Sequence, residues 1–188
     1  SFAAAVAALG AGGVSAVLDV GANDGKWSQS LKQWVAQWVG RHGGGQATLR
    51  QTLVEPQPQF RARLEGMAAQ HRWWTFLPGA VVGLAPASGT VNLTLSTCSH
   101  CVSTLPAMAR RYNPSHRRGR EFSVPTIGLS DLIANATAGT SVSLLKLDIE
   151  GGEYEVLPHV LATGALCRLT HLLIEWHLNA LPAHKRHA

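Results

Sequence analysis

The chain is poor in cysteine, in acid and in long apolar runs. Three cysteines in 188 residues are too few for a disulfide-stapled scaffold. The most apolar segments, residues 141–147 and 172–176, fall well short of the roughly 20 residues a membrane-spanning helix needs. Charged residues make up only 14% of the chain and hydrophobic ones 46%, which excludes intrinsic disorder. No internal repeat and no low-complexity linker interrupts it. A single domain over residues 1–188 is therefore expected.

What charge there is lies unevenly. Arg110, Arg111, Arg117, Arg118 and Arg120 contribute +5 within an acid-free stretch, and the net charge of the whole chain is +5. The rest sums to zero, so this is a neutral domain carrying one basic segment. There are eleven acids. Asp19, Asp24, Glu55, Asp148, Glu150, Glu153 and Glu175 all fall at or just past the end of a predicted buried strand. Acids placed for solubility would sit on exposed helix faces instead.

The first dozen residues are small and apolar, a helix fragment or a cut end, and carry no readable targeting signal. Residues 15–20 read as a buried strand, followed by the glycine turn GANDG. Ser28 is the expected N-cap of a helix with an apolar stripe of Leu31, Trp34, Val35, Trp38 and Val39, stopped by Gly40. Residues 48–55 form a second strand. Phe60, Leu64, Met67 and Ala68 mark a second helix. A third strand region covers 73–77 with 80–82, interrupted by Pro78 and Gly79. Residues 90–95 alternate, with 121–127 as the antiparallel partner. Ser130 and Asp131 are expected to cap a short helix. Residues 143–149 form another buried strand, and the helix after it shows Tyr154, Leu157 and Leu161 on one face with a kink at Pro158. Residues 171–176 are the last strand. Such alternation predicts an α/β fold, a doubly wound, mostly parallel sheet flanked by helices, with a hairpin or loop insert at about 90–127. Sheets of this kind bind ligands beyond the carboxyl ends of their strands, where strand order reverses. The clustered acids fall there.

In the first turn, Gly21 lets the chain leave the strand sharply and Gly25 lets backbone come close before the helix. The amides of Asn23 to Lys26 are expected to point into the crevice. Asp19 and Asp24 would repel a pyrophosphate, and the third glycine of a dinucleotide fingerprint is missing. A zwitterionic cation such as S-adenosylmethionine fits better, its ammonium meeting an aspartate and its carboxylate the amides. The plainer alternative is an ordinary glycine turn. Glu55 ends the second strand, where a carboxylate accepts hydrogen bonds from both ribose hydroxyls; alternatively it caps the helix after Pro56. Glu150 and Glu153 in the segment KLDIEGGE favour the positive end of a helix dipole, which accounts for Glu153 but not for Asp148. Asp148 follows a buried strand and needs a partner. Asp148, Glu175 and His177 could hold Mg²⁺ or another divalent ion, or supply a general base; metal is the less favoured of the two.

The segments VLDVGANDGKWS, VEPQP, GLAPASGTVNLTLS, KLDIEGGEYEVL and LLIEWH, in that order, resemble the FkbM-like family of S-adenosylmethionine-dependent methyltransferases. The resemblance implies a Rossmann-like class I fold that methylates hydroxyl oxygens, often on sugars or small natural products. By motif position it implies that Asp19, Gly21, Asn23 and Gly25 contact the methionine part of the cofactor and Glu55 its ribose. It also implies that Asp148, which borders the cofactor, and Glu150 flank the methyl-transfer centre, with Asp148, Glu150 or His177 as the base. Three departures stand out: the C-terminal strand pair of the class I fold is missing, Pro158 interrupts a normally continuous helix, and the loop before the second strand is long. Two other classes of function compete, a non-catalytic cofactor-binding module and a nicotinamide-dependent oxidoreductase.

The remaining features carry less. Cys98 and Cys101 have CxxC spacing without a second pair, so structural zinc is not expected. Asn92 and Asn135 head glycosylation sequons, which say nothing without a known compartment. The arginine segment suits either an anionic glycan acceptor or a solvated loop. With only Tyr112 and Phe122 nearby to stack on bases, nucleic acid is the minor reading.

Overall fold

Two strands that are apolar on both faces lie side by side at the centre of the molecule: β1 (Gly13–Val20) and β8 (Val142–Leu147). The computed structural model describes residues 1–43, 47–83, 89–95, 102–103 and 121–177. Around the central pair, β2 (Ala47–Val54), β3 (Trp74–Leu77) and β9 (His171–Ile174) complete a five-stranded parallel sheet in the order β3-β2-β1-β8-β9. Order reverses between β1 and β8, so the crevice of a doubly wound sheet opens there.

Period-two alternation sorts the strand residues onto two faces. Val17 and Leu144 face α1 (Phe2–Gly10) and α2 (Lys26–His42). Leu18, Val20, Leu145 and Leu147 face α4 (Leu129–Thr137) and α5 (Glu153–Ala162). Leu53 of β2 packs on α3 (Pro58–Ala69). Leu144 and Leu145 are fully buried on opposite sides, each contributing roughly 1.5–3 kcal/mol.

The predicted insert is more than a hairpin. β5 (Thr90–Leu95) and β7 (Glu121–Gly128) pair antiparallel as expected, but β7 also runs parallel to β4 (Ala80–Val82) and β5 pairs with β6 (Val102–Ser103). The result is a second sheet, β4-β7-β5-β6. The third strand region thus splits at Pro78–Gly79, one half going to each sheet. Proline cannot donate to a ladder, which makes this a natural exit. Among the described residues β9 is an outer strand of the main sheet; the chain beyond His177, the arginine segment and Cys98–Cys101 lie outside them.

The N-terminal segment is a helix, one of its two expected readings, capped by the Ser1 hydroxyl. Several other local expectations are corrected. The N-cap of α2 is Gly25 in the left-handed region, not Ser28. The helix runs through Gly40 to Gly43, whose own left-handed conformation and N–H to the Val39 carbonyl form the stop. Gly128, rather than Ser130 or Asp131, precedes α4. Pro158 lies inside α5 without ending it. The buried stripe of α5 is Val156, Leu157 and Val160, while Leu161 is 64% exposed; a spacing of four from Leu157 overshoots the narrow contact face of this short helix.

Gly21 shows how tight the join between the central strands is. Its φ is +83°, and an added Cβ would stand 1.7 Å from the Asp148 carbonyl oxygen. Backbone cannot yield as a flexible side chain can, so Gly21→Ala must part β1 from β8. A loss of roughly 3 kcal/mol or more is expected, read as a lowered midpoint in urea denaturation; an unchanged midpoint would show that the strands do not meet this closely.

Candidate active site

At the carboxyl ends of β1, β2 and β8 the strands open into a crevice that communicates with solvent. Apolar walls come from Val20, Val54, Val81 and Leu93. Gly21, Asn23, Glu55, Gln57, Asp148, Glu150 and Glu155 also line it. No lysine, arginine or histidine does so among the described residues. A phosphate would meet carboxylates with no cation on the described lining, Lys146 and His177 lying behind it; a cation would be favoured over an anion.

Glu55 is placed by the end of β2 and by two backbone donors. The Asn23 N–H donates to its Oε2 at 2.8 Å and the Gln57 N–H to its Oε1 at 2.9 Å. Asn23 reaches this position through a left-handed turn, φ +52°. Glu55 is 3% exposed. Burial pushes its pKa up to about 7, against the hydrogen bonds from Gln57 and Asn23 that favour the charged form. The Gln57 side chain hydrogen-bonds to the carboxylate as well. Helix capping is excluded, because α3 begins at Pro58 with Gln57 as its N-cap.

The first turn is arranged differently from expectation. Asp19 and Gly25 do not line the crevice. Asp19 is fully buried, accepts a hydrogen bond from the Ser28 hydroxyl at 2.8 Å and pairs with Lys146 at 3.3 Å. Burial raises its pKa, opposed by Lys146 and Ser28. Gly25 is a packing glycine, since a Cβ there would stand 2.6 Å from Met67 Cε. Three of the four amides from Asn23 to Lys26 are already engaged: Asn23 N–H goes to Glu55, Gly25 N–H to the Ala22 carbonyl and Lys26 N–H to Asp24. Asp24 pairs with Lys26 at 2.6 Å and is absent from the crevice wall.

Lys146 is the residue the sequence reading passed over. It lies directly opposite Asp19 in the β1–β8 register. Its ammonium reaches Asp19, Asp148 at 3.1 Å and the Gly21 carbonyl at 3.0 Å. Burial works to lower its pKa, but Asp19 and Asp148 outweigh that and raise it. The signal was present: one lone charge in each of two apolar runs, SAVLDV and SLLKL, that had to be neighbours.

Glu153 likewise does more than face a helix dipole. Fully buried, it accepts the Ile149 N–H at 2.7 Å and the Gly151 N–H at 2.9 Å, and meets His177 Nδ1 at 3.1 Å. It thereby ties down the loop after β8, where Glu150 holds a left-handed φ of +55°. His177 Nε2 faces Glu150, Asp148 and Glu175 at 3.5, 3.8 and 3.9 Å. The Glu153 hydrogen bond, set against burial and aided by the surrounding carboxylates, lifts the His177 pKa to about 9. A ring so protonated is a poor base near neutrality, and His177 is not part of the crevice wall. Burial also raises the pKa of Glu150, His177 opposing. The structure thus brings Glu55, Asn23, Gly21, Asp148 and Glu150 to one crevice, with Glu175 and His177 beside it.

Residues 19–186 match a protein family described as the methyltransferase FkbM domain. Comparisons with curated proteins and with solved structures returned no match.

Proposed function

The chain belongs to the FkbM methyltransferase domain family, and from that premise we propose that it is an S-adenosylmethionine-dependent O-methyltransferase acting on a hydroxyl of a sugar or small natural product. The observation that carries the cofactor assignment is the crevice itself: carboxylates at both ends, apolar walls between them, no cationic side chain among its described lining residues. That lining suits a positively charged nucleoside and repels a nicotinamide dinucleotide with its pyrophosphate. Glu55 fits the ribose end, lining the crevice at the tip of β2 as an acceptor for the sugar hydroxyls. Gly21 and Asn23 border the amino-acid end, with Asp19 acting from behind through Lys146.

S-adenosylmethionine, when bound, supplies a methyl group already activated on a sulfonium. The protein's share is alignment and removal of one proton. Asp148 and Glu150, on the strand end and loop that Lys146 and Glu153 hold in place, flank the position for the acceptor oxygen. One of them takes the hydroxyl proton as the oxygen–carbon bond forms and the carbon–sulfur bond breaks. The described rim carries Glu150, Glu155 and Glu175, which favours an uncharged polyhydroxyl acceptor over an anionic one.

Calorimetry with S-adenosylmethionine and with NADH, followed by transfer of a labelled methyl group to a panel of sugars and small alcohols, tests this. Expected are binding of the sulfonium nucleoside alone and a base-stable methyl ether as product. NADH binding in its place would discard the cofactor assignment; cofactor binding with no transfer to any acceptor would leave a binding module; labelled amines only would discard the hydroxyl specificity.

A further inference from the structure

Away from the crevice, toward the ends where β2 and β3 begin, the outer edge of the main sheet carries the opposite chemistry. Two grooves meet there. One lies between α2 and the two strands, lined by Lys32, His71, Arg72, Trp73 and Trp74. The other opens on the α4 face, lined by Arg50 and again by Arg72 and Trp73. No carboxylate lines either groove among the described residues, and α2, β2 and β3 contain no aspartate or glutamate at all. Nor do Lys32, Arg50 and Arg72 pair with a carboxylate elsewhere among the described residues. Cations gathered in clefts without counter-charges attract an anion.

The cations are also placed in advance. The Arg72 guanidinium lies over the Trp73 ring, 4.8 Å from its centroid, and the Lys32 ammonium stands 6.0 Å from that of Trp74. Ring quadrupoles hold cation heads in such positions, so less side-chain freedom is lost when an anion arrives. Lys32 Nζ is also 3.3 Å from His71 Nδ1, and the His71 ring packs 4.4 Å from Trp74. Burial, and then Lys32, hold the His71 pKa below its ordinary value. An ammonium and a protonatable ring this close, with no acid in the groove beside them, gain when an anion settles against both.

We propose that this edge, with Lys32, Arg72 and Arg50 as its charged contacts, binds an anionic polysaccharide such as a sulfated glycan. Arg72 and Trp73 join the two grooves around the edge, which fits a chain-like ligand better than one small anion. Neutral hydrogen-bonding groups line the path, Thr48 and Gln70 on one face and Thr52 and Thr75 on the other, as the hydroxyls between a sugar's charged groups require. Single-stranded nucleic acid needs open aromatic faces on which bases stack. Here Trp74 is only 8% exposed, beneath His71 and Lys32, and Arg72 already lies over Trp73. The crevice lies at the other ends of the same strands, so this ligand need not be the methyl acceptor and the inference stands apart from the methyltransferase reading.

The test is calorimetry of the full chain, without cofactor, against a heparin octasaccharide, a neutral dextran of equal length, an oligothymidylate and a poly-glutamate of matched charge, at about 0.15 M NaCl. Heparin is expected to bind with a dissociation constant below about 10 μM, dextran not at all, and the other two polyanions at least tenfold more weakly. Lys32→Gln combined with Arg72→Gln should weaken heparin binding at least tenfold. Both side chains are exposed, so the fold is little threatened, and a thermal melt checks it. Glutamine at Arg110, Arg111, Arg117, Arg118 and Arg120 together controls for unspecific charge and should cost less than the double variant. Absence of heparin binding, oligothymidylate or poly-glutamate binding as tight as heparin, a double variant that binds like the wild type, or the reverse order of the two variants would overturn the proposal. None of these readouts involves S-adenosylmethionine, so each leaves the methyltransferase assignment to its own experiment.

Discussion

Replacing Asp148 with asparagine is expected to lower the methyl-transfer rate by roughly 10²–10⁴-fold, the usual worth of a positioned acid–base group, while the cofactor still binds within about threefold. The reasoning starts from charge. Asp148 is the one carboxylate that touches Lys146, faces His177 and lines the crevice at once. Asparagine keeps its shape but can neither take a proton nor carry the charge. The fold should tolerate the change, because Lys146 retains Asp19 at 3.3 Å and the Gly21 carbonyl at 3.0 Å, and because the Asp148 side chain keeps some contact with water. Single-turnover rates at saturating cofactor, with calorimetry alongside, make the measurement. A variant that turns over at the wild-type rate removes Asp148 from the chemistry. One that loses cofactor affinity and rate together makes it a binding residue instead.

The second large effect is at Glu55, and it has two signs. Its carboxyl has a folded-state pKa of about 7 against 4.5 in the unfolded chain. The folded protein therefore binds more protons than the unfolded one between those values, and stability falls as pH rises through that window. The fall is on the order of 3 kcal/mol, complete once pH passes 7. Burial is the cause, with the negative charge of Asp19 adding to it. Cofactor binding runs the other way. Only the ionised carboxylate offers all its lone pairs to ribose hydroxyls, so affinity should rise about tenfold from pH 6 to pH 7.5 and then level off. Glu55→Gln should remove the contribution of Glu55 to the pH dependence of both curves and cost roughly 10²-fold in affinity, since hydrogen bonds to a charged acceptor are worth about 1.5–3 kcal/mol each. Urea midpoints and cofactor dissociation constants at matched pH values are the readouts. A wild-type affinity that is flat from pH 6 to pH 7.5 would take Glu55 away from the ribose.

Both predictions turn on residues whose type and order were visible in the sequence. Asp148 and Glu55 each end a short run read as a strand, and a carboxylate at such a place needs a partner. Their joint position followed from the alternation of strands and helices. Lys146, Ser28 and Glu153 were legible as residues but not as partners. Glu153 looked like a helix-dipole acid because its sequence neighbours say nothing of the loop amides and imidazole folded around it. Asp19 looked like a ligand residue because its place before Gly21 is the same whether its side chain faces the crevice or the sheet interior.

The sequence by itself determined the doubly wound sheet, the crevice at its switch point and the family motifs that mark it. Those depend on local periodicity and on glycines whose backbone geometry no other residue adopts cheaply. Only the tertiary structure decided which acids face the crevice, which are spent on Lys146 and His177, and how the segment after Pro78 leaves for a second sheet. Register and burial set those outcomes. A charge changes role according to which neighbour the fold brings within about 4 Å, since Coulomb attraction and desolvation both depend steeply on that distance.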